Sequence, residues 1–312
     1  MPRTKVPPRR ANPTEVSAPP PWFANGLQSF PVTTADREGL STTDPPTYAE
    51  YKNDQYLGYI LKGTSMARPR LMVGIPSTGS VRMEWSLARN GQMIPTNWSS
   101  IDYVSWMNQV TPLGYNVADA RNLIVHVAVS NDFRWLLFID SDVILPADTF
   151  YKLNDYVRKG DIPIVFGLYT TKSHPPEPLV YRDVGDSYFR DFKLGDKFWV
   201  SGIGMGCTLI NVDVLKLMSE DAPYYLANGQ HRIKRVFDTP QVQWLDPETK
   251  TNHRWGGTED IAWCTRVKEG EYLKRAGFPK VGRQKYQMYC DSSIFCGHIR
   301  EDGVVFPLVA QW

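Results

Sequence analysis

From Arg70 onward, short apolar runs alternate with longer segments of helical period, and this alternation constrains the fold more than any other feature of the chain. "LMVGIP" reads as a short buried strand stopped by Pro76, and "ADARNLIVHVAVSN" places Ala120, Leu123, Ile124, Val127 and Ala128 on one helical face. "RWLLFID" is a second buried strand and "IPIVFGLYT" a third. Between them "PADTFYKLNDYVRKG" predicts a helix with Pro146 at its first position and Gly160 as its C-terminal cap. Such alternation predicts an α/β domain with an open, mostly parallel central sheet flanked by helices on both faces. The second half is less regular. "FWVSGIGMGCTLINVDVLKLM" is a glycine-rich loop entering a strand and then a helix, and "RWGGTEDIAWCTRVKEGEY" is a glycine turn before a helix. Thr258 is that helix's expected N-cap, with Glu259 and Asp260 in its first turn. Open α/β sheets bind ligands beyond the carboxyl ends of their strands, where strand order switches, and both Pro76-Ser77 and Asp140-Ser141-Asp142 lie at such ends.

With 312 residues, 42% of them hydrophobic and 22% charged, the chain can bury one large core or two small ones. Residues 1–66, rich in Pro, Thr and Ser, predict an extended arm, mobile or draped over a domain formed by residues 67–312. Trp22, Phe23, Phe30, Tyr48, Tyr51, Tyr56 and Tyr59 argue for partial docking of that arm. The formal charge of +2 supplies no bulk field toward nucleic acid or a membrane surface. Four irregularly spaced cysteines form no disulfide framework, and no apolar run approaches the ~20 residues of a membrane span. "MPRTKVPPRR" has no apolar segment behind it, so a cytoplasmic protein with reduced thiols is expected. Cys290, Cys296 and His298 match no usual zinc spacing.

Asp140 and Asp142 pose the chemical question. Residues two apart on a strand share a face, with Cα atoms roughly 6–7 Å apart. Two carboxylates held so close raise each other's pKa unless a cation or strong donors stand between them. A divalent metal would answer that repulsion, and so would a plain turn capping the next helix. The residues by themselves leave both readings open.

The ordered series "GIPSTG", "ADARN", "LLFIDSDVILP", "IVFGLYT", "GIGMGCTLI", "GGTEDIAWCTR" and "CGHI" resembles the metal-dependent nucleotide-sugar glycosyltransferases of the GT-A fold, of the family 2-like, Asp-x-Asp type, over about residues 70 to 300. The resemblance implies a Rossmann-like GT-A sheet with an irregular, acceptor-side second half. It implies a nucleotide-sugar donor, with a UDP-sugar favoured, a hydroxyl-bearing acceptor, and Mn2+ or Mg2+ as the ion that stabilises the departing diphosphate. By position in the motifs, Asp140, Asp142 and His298 are the implied metal residues, Asp142 being the direct ligand. Pro76, Ser77, Arg121, Asn122, Asp140, Ser141, Gly204 and Trp255 are the implied nucleotide-sugar contacts. Asp260 is the implied base of an inverting transfer, and Glu259 the residue that orients the acceptor. Several of these have plainer uses. Arg121 could be a solvated helix charge or pair with Asp119, Glu259 and Asp260 could serve only the helix dipole, and Trp199 and Trp255 could be core. Gly202, Gly204 and Gly206 precede a strand instead of opening a helix, which excludes a dinucleotide fingerprint.

Two other functions fit the same fold class. A sugar-phosphate nucleotidyltransferase would carry a glycine-rich, basic loop after its first strand, and "GIPSTGSVRMEW" matches that poorly. A non-catalytic GT-A-like binding protein would not need every acidic position filled. For the acceptor, a glycan or metabolite is favoured. A hydroxymethylated base of phage DNA is the minority option, with "PRTKVPPRR" offering a salt-sensitive phosphate contact.

Overall fold

The computed structural model describes residues 71–94, 109–183, 188–229, 231–245 and 252–307, with backbone only for 241–245 and 252–256. The arm expected over residues 1–66 and the side chain of Trp255 lie outside the described residues.

Seven strands form the main sheet: β1 (Leu71–Gly74), β2 (Gln109–Val110), β3 (Trp135–Ile139), β4 (Ile164–Leu168), β5 (Lys197–Val200), β6 (Cys207–Asn211) and β7 (Met288–Phe295). Their order across the sheet is β2-β1-β3-β6-β4-β7-β5. β1 pairs in parallel with β2 and β3, and β4 with β7, while β6 runs antiparallel between β3 and β4 and β5 antiparallel to β7. Five strands therefore share one direction, as the alternating sequence predicts.

Helices α1 (Met83–Asn90), α2 (Val117–Ser130), α3 (Thr149–Lys159), α4 (Val212–Asp221) and α5 (Glu259–Glu269) accompany the sheet. In α3 the buried residues Phe150, Leu153, Asn154 and Val157 recur at helical spacing, so one stripe meets the core. Burying each of its large apolar side chains contributes roughly 1.5–3 kcal/mol. Gly160 caps α3 in the left-handed region at φ 66°, as expected for a C-terminal glycine. The helix begins at Thr149 and not at Pro146. Pro146 instead offers its carbonyl to both the backbone N–H and the hydroxyl of Thr149, forming a turn ahead of the helix. β3 is buried along its whole length, which explains its unbroken apolar run.

The second half supplies small antiparallel pieces. Tyr224–Ala227 pairs with His231–Lys234, Gln241–Leu245 with Asn252–Gly256, and Gly297–Ile299 joins Val143–Ile144 and Val305–Phe306. The last of these sheets brings His298 beside the turn that follows β3.

Candidate functional site

The reversed strand β6 creates the site. Because β6 lies between β3 and β4, the residues entering β6 meet the residues leaving its two neighbours, and β7 delivers the chain end beyond β4. Asp140 to Asp142 leave β3, Tyr169 to Lys172 leave β4, Gly204 to Gly206 enter β6, and His298 follows β7. Four distant stretches of sequence thus converge at one point, the switch in strand order.

The Asp140-Ser141-Asp142 turn is pinned through its backbone. Asp140 donates its N–H to the Gly206 carbonyl at 3.0 Å, and the Asp140 carbonyl accepts from Val143 N–H at 3.1 Å and from the Trp85 indole at 2.8 Å. Ile299 N–H donates to the Asp142 carbonyl at 2.8 Å. The segment is a turn, and it is also a rigid mount for two carboxylates.

The two carboxylates have separate partners. Asp142 Oδ2 accepts from Lys172 Nζ at 2.5 Å and lies 3.5 Å from His298 Nε2. Burial would raise the Asp142 pKa, but His298 and Lys172 outweigh it and bring the pKa down to about 2. His298 Nδ1 lies 2.6 Å from the Thr170 carbonyl, which can only accept, so Nδ1 carries a proton and the other ring nitrogen, Nε2, faces Asp142. The Tyr169 ring packs edge-on against this imidazole at 5.1 Å.

Asp140 turns instead to Arg121 of α2, whose Nη2 lies 2.9 Å from its Oδ1 and 3.0 Å from its Oδ2. Arg121 Nε donates to Glu259 Oε1 at 3.2 Å, and the guanidinium lies over the Phe138 ring. With its side chain only 2% exposed, Arg121 is an internal cation joining the end of β3 to the start of α5. Burial and the nearby Asp142 raise the pKa of Asp140, and Arg121 opposes them. Nη1 of Arg121 is buried without a hydrogen-bond partner among the described residues.

These positions give two of the implied nucleotide-sugar contacts partners inside the protein. Arg121, expected to meet the base or diphosphate, is enclosed by Asp140 and Glu259 and not by Asp119. Asp119 bonds to Asn116, Tyr225 and the N–H of Asn228. Asn122 is fully engaged inside the protein. Its amide donates to the Tyr225 hydroxyl and the Phe237 carbonyl and accepts from Phe237 N–H. Asn122 is engaged through both its amide nitrogen and its amide oxygen, and Arg121 through Nε and Nη2.

Gly204 also has a structural explanation. A Cβ there would overlap the Tyr169 hydroxyl, and one at Gly206 would lie 2.6 Å from Val143 and 2.9 Å from the Tyr169 ring. The Tyr169 hydroxyl accepts from Gly206 N–H at 2.9 Å, so the glycines make room for a buried tyrosine. Pro76 and Ser77 stand past the end of β1, where Ser77 bridges to Leu113 beyond β2. Trp199 is partly buried and packs against Tyr289 with rings 4.7 Å apart.

Glu259 and Asp260 open α5 as expected, and Thr258 occupies the N-cap position without a side-chain capping bond. Asp260 Oδ1 accepts from Ile261 N–H at 2.7 Å. Burial first, and then the Glu259 charge, raise its pKa above the ordinary aspartate value. A carboxylate tuned upward while anchored at a helix start is well suited to take a proton.

Among the described residues no three His, Cys, Asp or Glu side chains are grouped to hold a metal ion. Asp142 and His298 nevertheless fit as a pair. A carboxylate oxygen and an imidazole nitrogen face each other, and the second imidazole nitrogen is fixed by a carbonyl, the support that metal-bound histidines commonly have. Asp140 does not join them, because Arg121 takes its carboxylate. Asp142 and His298 would hold a hard cation, which would supply Lewis-acid stabilisation of phosphate charge. Cys207, Cys264, Cys290 and Cys296 are buried free thiols, and burial raises the pKa of Cys264, Cys290 and Cys296.

Sequence reading missed Lys172, Tyr169 and Trp85. Tyr169 stands directly after the third apolar strand, a placement visible in "IVFGLYT"; Lys172 and Trp85 carry no comparable local signal.

No family model and no curated protein sequence matches the chain. Among solved structures it is similar to A197 from STIV, at 18% identity and TM-score 0.44 over 76% of this chain and 88% of that one. It is also similar to S. aureus TarS, at 14% identity and TM-score 0.32 over 49% of this chain and 30% of that one. TarS 1-349 in complex with UDP matches at 12% identity and TM-score 0.31, over 49% of this chain and 50% of that one. These likenesses are distant, and the functional reading rests on the residues themselves.

Proposed function

We propose that the chain is a glycosyltransferase that moves a sugar from a nucleotide-sugar donor, with a UDP-sugar favoured, to a hydroxyl acceptor. The observation that carries this reading is the division of labour at the end of the sheet. Asp142 faces His298, Arg121 ties Asp140 to Glu259, and Asp260, whose pKa burial and the Glu259 charge raise, follows Glu259 at the start of α5.

In this reading Asp142 and His298 hold Mn2+ or Mg2+, which when bound stabilises the charge developing on the nucleoside diphosphate. The remaining work belongs to the chain. The His298 ring is fixed through Nδ1 by the Thr170 carbonyl, and Asp142 is kept ionised by its basic neighbours. Asp260 takes the proton from the acceptor hydroxyl as the hydroxyl oxygen bonds to the anomeric carbon. The bond from that carbon to the nucleoside diphosphate breaks on the opposite face, a single displacement that inverts the centre. Glu259, drawn back by Arg121, raises the basicity of Asp260 through its charge. Pro76 and Ser77, at the neighbouring strand end, are suited to the base and ribose.

The acceptor favoured is a glycan or metabolite hydroxyl. The test is release of nucleoside diphosphate from sugar nucleotides in the presence of Mn2+, compared with release of pyrophosphate from a nucleoside triphosphate and sugar phosphate. Asp260→Asn is expected to bind donor normally and lose transfer by about 10²–10⁴-fold. Pyrophosphate release would instead assign the chain to the nucleotidyltransferases.

A further inference from the structure

Lys172 is the charged group at the site that the proposed reaction has not used. It lies two residues beyond Thr170, whose carbonyl fixes His298, and its Nζ is on the same Asp142 oxygen that His298 Nε2 faces. The oxygen that a cation would need is therefore already met by an amine. A divalent ion bridging Asp142 and His298 would be forced close to Lys172 Nζ, and two positive centres at one carboxylate oxygen repel each other. Lys172 is only partly enclosed, its side chain 27% exposed beside an Asp142 that is 41% exposed, so it is free to turn outward.

We infer that Lys172 is a phosphate-binding residue that also occupies the cation position until a diphosphate arrives. Without donor it closes on Asp142 and opposes metal binding. With donor it leaves Asp142 for the diphosphate oxygens, and the carboxylate is released to the ion. Metal and diphosphate then bind with positive coupling, each removing an obstacle to the other. This inference rests on the proposed metal and donor site and adds to it an order of events that Asp142 and His298 alone would not impose. No bond is made or broken in the exchange. Lys172 trades a carboxylate partner for a phosphate partner.

Calorimetric titration of Mn2+ into the full chain, alone and with UDP or GDP present, tests it against Lys172→Met. The wild-type protein is expected to bind Mn2+ weakly alone and more tightly with a nucleoside diphosphate. Lys172→Met is expected to bind Mn2+ alone about fivefold more tightly, the scale of a lost competing ion pair, and to show less tightening by the nucleotide. Lys172→Arg, which keeps the charge, should stay close to wild type and guards against a general effect of substitution. If Lys172→Met binds Mn2+ alone no better than wild type, or keeps the full nucleotide effect, the inference is overturned while the metal site stands. If the wild-type protein binds Mn2+ in neither state, the metal reading falls and this inference with it.

Discussion

Arg121 is held out of water by two carboxylates from other elements, Asp140 after β3 and Glu259 at the start of α5. Removing one member of such a buried group leaves the others without their counter-charge. Arg121→Met is therefore expected to cost about 3 kcal/mol in urea unfolding; a loss well under 1 kcal/mol would show that the triad is not a structural link. Asp260 carries the prediction for pH. Its pKa is raised by burial and by Glu259, and a base works only when deprotonated. The acid limb of kcat/KM should then lie above the ordinary aspartate range of about 3.9. Glu259→Gln removes the raising charge and should move that limb to lower pH. A limb that stays in place would take Asp260 out of the base role.

The loop entering β6 and the residue leaving β4 fit each other in space. Tyr169 fills the space beside Gly204 and Gly206, and its hydroxyl caps a backbone N–H in the same loop. Gly204→Ala is expected to destabilise the protein by about 1–3 kcal/mol through overpacking. Tyr169→Phe in the same chain should recover part of that loss, which a double-mutant cycle by thermal unfolding measures; strict additivity would contradict the contact. β7 makes a second link between elements. Asp291 on β7 accepts from the Tyr156 hydroxyl of α3 at 2.6 Å and from Ser293, and pairs with Lys197 of β5 at 3.1 Å. Burial raises its pKa, but Ser293, Tyr156 and Lys197 together lower it below the ordinary value. A carboxyl depressed in the folded state contributes stability that is complete above its unfolded pKa of about 3.9 and is lost as pH falls through the folded value. Asp291→Asn should therefore lower stability at neutral pH and flatten its fall in acid. An unchanged acid profile would mean that Asp291 contributes nothing to the linkage.

Across the whole molecule, what was legible in the sequence was whatever periodicity and punctuation encode locally. The apolar runs gave β1, β3 and β4, the spacing of Leu123, Ile124 and Ala128 gave α2, and Gly160 gave the end of α3. α3 starts at Thr149 and not at Pro146 because proline marks turns as readily as first helical turns. The partners of Arg121 lie 19 and 138 residues away, and no local pattern encodes such a pairing. Lys172 was missed for the same reason, since only the insertion of β6 between β3 and β4 defines its surroundings. Among the described residues no helix is long and apolar enough to cross a membrane.

We propose that the turn after β3 is a metal-dependent nucleotide-sugar site, and donor binding tests that proposal. Calorimetry with a panel of sugar nucleotides and Mn2+ should find one donor that binds only when the ion is present, and Asp142→Ala should abolish that binding while the fold, followed by circular dichroism, is unchanged. Donor binding that is indifferent to Mn2+ and unaltered in Asp142→Ala would contradict the account.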